Sequence, residues 1–116
     1  MDFVKKLRGF SYVGSVTYVA QVQRAKTILP PYIELRLKTP PPVAKIASAS
    51  NKLNWKMDAY PDRIYINRGR ECGIMHDLAK KGKPFFIDAS ELRTHANEEK
   101  ILTFFKAFRP QHLSLV

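Results

Sequence analysis

Cysteine, long apolar runs and carboxylates are scarce in this 116-residue chain. Cys72 is the single cysteine, which excludes an internal disulfide and indicates a reducing compartment such as the cytosol or a matrix. No apolar run reaches the roughly 18 residues that a membrane helix needs. We therefore expect a protein without membrane insertion, in which Cys72 is a small buried residue at a strand end.

Sequence motifs for catalysis are also missing. A thioredoxin-type redox enzyme needs Cys-x-x-Cys after its first strand, and residues 39–42 read Thr-Pro-Pro-Pro instead. No glycine-rich loop that cradles a phosphate is present. His76, His95 and His112 lack metal-ligand spacing, apart from a loose pair of His76 with Cys72, and are predicted to be surface or capping residues. We expect no catalysis, cofactor, metal or small-molecule substrate.

A metal-dependent nuclease is the catalytic alternative that comes nearest to a motif. Residues 60–66 read YPDRIYI, which resembles the Pro-Asp strand of restriction-type nucleases. These enzymes also need Glu-x-Lys or Asp-x-Lys on the next strand, so that a carboxylate holds Mg²⁺ beside a lysine. Residues 71–73 lack the lysine, and residues 77–80 place it at the wrong spacing. A nuclease-like nucleic-acid-binding domain is therefore a less favoured hypothesis.

Basic residues dominate the charge of the chain. Twenty Lys and Arg against ten Asp and Glu give a net charge of +10, which favours a polyanionic partner bound in a salt-dependent way. Residues 1–60 carry ten basic and three acidic side chains (+7), whereas residues 61–116 carry ten and seven (+3). RNA, DNA and an acidic protein surface all fit this surplus, as does a basic surface that only faces solvent.

A strand–helix–strand unit is predicted over residues 31–66. Residues 32–37 alternate apolar and polar side chains as a strand does. The Pro40-Pro41-Pro42 tract ends that strand and leads into an amphipathic helix from Val43 to near Asp58. A second strand follows at residues 63–66, and a crossover helix between them predicts that the two strands are parallel.

The first 30 residues are predicted to form a basic N-terminal arm. Phe3, Val4, Leu7 and Phe10 lie near one face of a helix over residues 1–12. A second helix is predicted over roughly residues 15–28, although its β-branched residues also suit a strand. We expect this extension to lie across the domain or across a neighbouring molecule.

Two basic turns and a C-terminal helix are predicted in the second half. Residues 67–70 read NRGR and residues 80–83 read KKGK, and glycine permits the positive φ of a tight turn. Residues 72–79 are interpreted as a strand or a short helix, and residues 84–88 as an aromatic strand. A helix capped by Asn97 is predicted to run to Arg109, with an apolar stripe that ends at Phe108.

This layout predicts an α/β domain, a small mixed sheet with packed helices, in the order of a thioredoxin-like fold. Four segments carry a family resemblance: YIELRL at 32–37, AYPDRIYI at 59–66, KKGKPFFID at 80–88 and the helix over 98–108. In these segments the chain resembles the thioredoxin-like domain shared by certain mitochondrial ribosomal proteins and a small accessory subunit of respiratory complex I. The predicted domain spans residues 31–110, followed by a tail over 111–116.

The resemblance implies one of two structural roles. The ribosomal branch implies a structural constituent of the mitochondrial ribosome, in the matrix, that binds ribosomal RNA and neighbouring ribosomal proteins without catalysis. The complex I branch implies a peripheral matrix-arm subunit without cofactor. The net charge of +10 and the basic arm favour the ribosome, because Lys and Arg neutralise phosphates.

The predicted RNA contacts are cations that cluster on the arm and on the two turns, away from the predicted core. Tyr12, Tyr18 and Trp55 are weighed as partners for bases or arginines, but packing inside the protein is the favoured interpretation for these rings. The predicted RNA-binding residues are Lys5, Lys6, Arg8, Arg24, Lys26, Arg68, Arg70, Lys80, Lys81 and Lys83.

Overall fold

The computed structural model describes residues 2–90, 92 and 95–110, with the backbone alone for Val22, Arg24 and Leu29. The described chain contains three helices and eight strands. In chain order these are α1 (Asp2–Arg8), β1 (Val13–Val19), β2 (Val22–Arg24), β3 (Thr27–Leu29), β4 (Tyr32–Leu37), α2 (Val43–Lys52), β5 (Met57–Ala59), β6 (Arg63–Ile66), β7 (Ile74–Asp77), β8 (Phe85–Asp88) and α3 (His95–Lys106).

Six of the strands form one sheet in the order β1-β4-β8-β7-β6-β5, and β2 pairs with β3 as a separate hairpin. Every one of these pairs is antiparallel. The α/β class with helices packed on a sheet is therefore confirmed, but the prediction of a mixed sheet is wrong. The predicted parallel neighbours β4 and β6 are separated by β8 and β7 and run in opposite directions.

The reason for this error lies at the end of α2. The helix stops at Lys52 instead of near Asp58, and Asn54 adopts a left-handed φ of 56°, a conformation that asparagine tolerates better than most residues. The chain then forms the edge strand β5, which turns back antiparallel onto β6. The helix therefore does not lead directly into β6, so a parallel crossover does not form.

The N-terminal prediction is partly right. The amphipathic helix is confirmed as α1, with Phe3, Val4 and Leu7 buried. The helix predicted over residues 15–28 is wrong, because this segment forms most of β1 and the β2–β3 hairpin. Val13 and Val16 are buried in the same core as α1, so residues 3–16 pack into the domain.

The core lies between one face of the sheet and the three helices. Ile33, Leu35, Phe85 and Ile87 from the strands share it with Ile46 of α2, and all five are fully buried. The predicted strand over residues 84–88 is confirmed as β8, and β7 lies within residues 72–79.

Helix α3, which ends at Lys106 and not at Arg109 as predicted, supplies the aromatic part of this core together with Phe108 in the turn that follows. The predicted apolar stripe is confirmed, but Asn97 lies buried in the first turn of α3 instead of capping it. Phe104, Phe105 and Phe108 all pack on Phe85, with ring centroids 5.2 to 6.4 Å from its own. None of the helices in the described residues is long and apolar enough to span a membrane.

Candidate nucleic-acid interface

The three helices pack on one face of the six-stranded sheet. The candidate site lies on the other face. Side chains alternate between the two faces of a strand, and burial follows that alternation in β4, β6, β7 and β8. The outward side chains are half-buried and define what we call the open face: Tyr32, Glu34, Arg36, Arg63, Tyr65, Met75, Asp77, Phe86 and Asp88.

One row of the open face crosses the sheet in register. Phe86 of β8 lies opposite Glu34 of β4 on one side and Met75 of β7 on the other. Met75 in turn lies opposite Tyr65 of β6, which pairs with Asp58 of β5. Two aromatic rings and a thioether are thereby placed side by side on three neighbouring strands.

A cation lies over each of the two rings in this row. The Arg68 guanidinium carbon is 4.2 Å from the Tyr65 ring centroid, and the Lys80 Nζ is 5.4 Å from the Phe86 ring centroid. Both distances allow a cation–π interaction. Arg63 adds a second guanidinium 5.5 Å from the Tyr65 centroid.

Arg68 and Arg70 come from the loop between β6 and β7, which the sequence predicts as a basic turn. Asn67, Gly69 and Cys72 all have left-handed φ angles, of 56°, 76° and 64°. A Cβ on Gly69 would meet nothing within 4 Å, so glycine is needed there for its backbone conformation and not for space. The Asn67 side-chain amide donates to the Glu71 carbonyl across the loop.

The same loop borders a concavity with a volume of about 1170 Å³. Arg68, Arg70 and Lys100 line it together with Tyr65 and Phe86 of the open face. The two predicted arginines are therefore brought to one end of the aromatic row, where they are exposed to solvent.

Lys80 lies in the loop between β7 and β8. This loop and the loop that carries Arg68 leave opposite ends of β7. The Asp77 carboxylate accepts hydrogen bonds from the Ala79 and Lys80 backbone N–H groups, at 3.0 and 3.1 Å, and so fixes the start of this loop. The Lys80 Nζ lies 3.5 Å from Glu34 Oε1, and Arg36 also pairs with that carboxylate. Lys81 and Lys83 are exposed on the same loop.

The predicted contacts from the first 30 residues lie elsewhere. Lys5, Lys6 and Arg8 are exposed on α1, which packs on the helical side of the sheet. Arg8 donates to the Val16 carbonyl at 2.8 and 3.2 Å and so ties α1 to β1. Lys26 is exposed in the turn of the β2–β3 hairpin, and the side chain of Arg24 lies outside the described part.

Sequence reasoning missed the aromatic residues of the open face. The Tyr12 hydroxyl donates to the Phe105 carbonyl at 3.0 Å, and Trp55 packs on Phe104, so both fill the core as favoured. Packing was also favoured for Tyr18, and that prediction is wrong, because its ring is 42% exposed on β1. The signal that identifies these rings is the alternation of side chains between the two faces of a strand. Ile64 and Ile66 point inward, so Tyr65 between them points outward. Phe86 points outward for the same reason, because it lies between the inward Phe85 and Ile87.

His76 corrects a second prediction, because it is fully buried and not at the surface. Its ring stacks on Phe85 at a centroid distance of 3.9 Å. Burial is the main cause that lowers the pKa of His76 to about 4; the Lys83 cation lowers it further, while the Pro84 carbonyl and Asp77 oppose the shift. Within residues 2–90, 92 and 95–110, neither ring nitrogen has a hydrogen-bond partner of normal geometry.

The described residues contain no cluster of three or more His, Cys, Asp or Glu side chains that could hold a metal ion. His95 lies at the surface, with its Nε2 atom 3.5 Å from Glu99 Oε1, and His112 falls outside the described residues. The Cys72 thiol is buried and lies 3.6 Å from the Asn97 carbonyl.

The open face combines two chemistries. Aromatic rings stack on bases, and exposed arginines and lysines donate to phosphates. A scan against protein-family models, a search of curated proteins and a search of solved structures each found no match to this chain. The geometry of the open face is therefore the basis of the functional argument.

Proposed function

We propose that this protein is a non-catalytic RNA-binding constituent of a ribonucleoprotein particle. The observation that carries the proposal is the open face, where Arg68 lies over Tyr65 and Lys80 lies over Phe86. The host particle proposed is the mitochondrial ribosome in the matrix, where the protein would contact ribosomal RNA and neighbouring ribosomal proteins. That host, and the thioredoxin-like relationship behind it, rest on the sequence resemblance.

The charge of the molecule supports a polyanionic ligand. The net charge is +10, and three carboxylates of the sheet already have partners. Asp77 accepts from two backbone N–H groups, Asp88 accepts from the Ser90 N–H and hydroxyl, and Asp58 lies 3.8 Å from the Lys56 ammonium. Lys80 and Arg36 share the Glu34 carboxylate, whereas Arg68, Arg70, Lys81 and Lys83 present exposed cations to a phosphate backbone.

The experiment that tests the host particle is sedimentation of a gentle mitochondrial lysate with and without ribonuclease. We expect the chain to migrate with ribosomal particles and to leave them on ribonuclease treatment. Migration with a ribonuclease-resistant respiratory complex would instead support the accessory-subunit hypothesis. Recovery as a small free species would contradict both hosts and return attention to a free nucleic-acid-binding domain.

A matched pair of variants tests the surface itself. Arg68→Gln with Lys80→Gln removes the two cations that lie over the aromatic row. Lys45→Gln with Lys52→Gln removes the same charge from the exposed side of α2, on the helical side of the sheet. We expect the first pair to weaken RNA binding and assembly, and equal effects of the two pairs would contradict the proposed surface.

A further inference from the structure

We infer that the RNA recognised by the open face is single-stranded, and that its bases stack on Tyr65 and Phe86 while its phosphates contact Arg68 and Lys80. This inference rests on the proposed function and deepens it, because it names the class of RNA. It also names a small set of side chains whose roles differ, two rings for bases and two cations for phosphates.

The geometry of the row is the first argument. Tyr65, Met75 and Phe86 lie opposite one another on adjacent strands, and strands are about 4.8 Å apart, so the outer two backbones are separated by about 10 Å. Met75 places a polarizable thioether between the two rings. A surface of this extent suits two or three splayed bases.

The state of the bases is the second argument. In a duplex the faces of the bases are covered by stacking within the helix, so aromatic side chains on the surface of a sheet cannot reach them. Unpaired bases expose those faces, and stacking one on an aromatic ring contributes about 1–3 kcal/mol. Aromatic rings therefore favour unpaired RNA, whereas cations alone would bind either form.

The position of the cations is the third argument. In the free protein Arg68 lies over one face of Tyr65, so a base that stacks on that face displaces the guanidinium, whose N–H groups can then donate to a phosphate. Arg68 lies over Tyr65 at one side of the row, and Lys80 lies over Phe86 at the other. The two loops that carry them leave opposite ends of β7, so a strand of RNA can cross the sheet with phosphates held at both ends.

A second copy of this chain is a poor occupant for the same surface. Each copy carries a charge of +10, and like charges repel across an interface. An RNA strand instead brings the opposite charge.

The first test compares a labelled 10-nucleotide single strand of mixed sequence with a duplex of the same sequence, by fluorescence anisotropy on the full chain. We expect the single strand to bind at least about 5-fold more tightly, the factor of one stacked base. Tyr65→Leu and Phe86→Leu should each weaken single-strand binding by at least about 5-fold. Tyr18→Leu is the matched control on the edge strand and should leave the affinity unchanged.

The second test separates stacking from charge. For a single strand, each lost phosphate contact makes the negative slope of log K against log salt shallower by about 0.7. We expect Arg68→Gln and Lys80→Gln each to make the slope shallower by that amount, and Tyr65→Leu to leave it unchanged. A change of slope in Tyr65→Leu as large as in Arg68→Gln would contradict the assigned roles.

A third test uses the unaltered protein, so it does not depend on the folding of any variant. Met75 lies between the two rings of the row, whereas Met57 lies on β5 and packs against the core. With methyl-labelled methionine, addition of the single strand should shift the Met75 methyl resonance upfield by the ring current of a stacked base. The Met57 methyl resonance should not move.

The outcomes distinguish this inference from the proposed function. Equal affinity for single strand and duplex, with unaffected Leu variants and an unmoved Met75 methyl, would overturn stacking but leave charge-driven RNA binding in place. Absence of binding to both probes at low salt would overturn the proposed function as well.

Discussion

His76 places an imidazole inside the core, where only its neutral form is tolerated. The ring stacks on Phe85 and is fully buried, and its pKa is lowered to about 4 mainly by that burial. An unfolded chain would protonate His76 near its ordinary pKa of about 6.5. Acid therefore favours the unfolded state through this residue.

This linkage predicts a specific loss of stability in acid. The contribution of His76 is fully present above pH 6.5 and should fall by about 2–4 kcal/mol as the pH decreases to 4. Denaturant unfolding between pH 7 and 4 measures the effect, with His76→Leu as the variant that lacks it. The variant should lose less stability than the wild type over this range, and identical pH profiles would contradict the prediction. His95→Gln, at the exposed end of α3, should keep the wild-type profile.

Residue periodicity explains which side chains the sequence could predict. The inward positions of β4 and the phenylalanines of α3 follow the strand and helix periods, and both sets are buried as expected. The predictions for His76 and Asn97 were wrong because polar residues usually lie at the surface. The strand and helix periods place both side chains on the inward face. In this protein the period decides for both residues.

Helix α1 belongs to the domain, although the sequence suggested an arm. Leu7 is fully buried, and the neighbouring Arg8 donates to the Val16 carbonyl. We expect Leu7→Ala to lower the free energy of unfolding by about 2–5 kcal/mol, since it leaves a cavity in the shared core. Lys6→Ala, an exposed change one position earlier, should shift it by less than about 0.5 kcal/mol. Equal small effects in urea unfolding would show that α1 is dispensable.

The β2–β3 hairpin is expected to be dispensable for stability. Its described side chains are exposed and absent from the core, including Ile28 at 58% exposure. Strands β1 and β4 already pair directly, with Val19 opposite Tyr32, so a short turn can join them. Replacing residues 21–30 with Asn-Gly should change the free energy of unfolding by less than about 1 kcal/mol.

The same replacement tests whether the hairpin contributes to RNA binding. It removes Arg24 and Lys26, so the negative slope of log K against log salt for a single strand should become shallower by up to about 1.4 if both contact phosphates. A loss of several kcal/mol in stability would show instead that the hairpin supports the domain. Pro31 is kept in this variant because its carbonyl accepts from the Ala89 N–H.

A β-bulge sets the spacing of the buried side chains at the start of β1. The pairing of β1 with β4 shifts register between Val13 and Ser15, which puts two residues of one strand opposite one of the other. The buried Val13 and Val16 are consequently three positions apart. The helix predicted over residues 15–28 rested on a different set, because a helical face fits the spacing of Val16, Val19, Ala20 and Gln23. Of these four residues only Val16 is buried.

Charge acts at the scale of the whole molecule. With +10 in 116 residues, a polyanion that binds the folded state should stabilise it by mass action. We expect poly(U) at low salt to raise Tm by at least about 5 °C and to lose this effect in 0.5 M NaCl. Differential scanning fluorimetry measures the shift. Polyaspartate should raise Tm by less than poly(U) does. Equal shifts in Tm would indicate that the protein responds to negative charge alone and does not recognise RNA.

The order of the strands could not be predicted from local pattern. Most strands of the sheet were recognisable one by one, but β8 inserts between β4 and β7. The choice of partner depends on packing between distant segments, and a period within one strand carries no information about it. The open face was missed for the same reason, because its row of side chains exists only when β6, β7 and β8 are neighbours.

The insertion of β8 has a consequence for synthesis of the chain in the cell. Leu35 pairs with Phe85, 50 positions later (85 minus 35). At about 5–20 residues per second, β8 leaves the ribosome some seconds after β4. During that interval the β1–β4 pair presents an unpaired strand edge to other nascent chains. Truncated chains stalled before residue 85 should therefore bind chaperones, and the complete chain should release them once β8 closes the sheet.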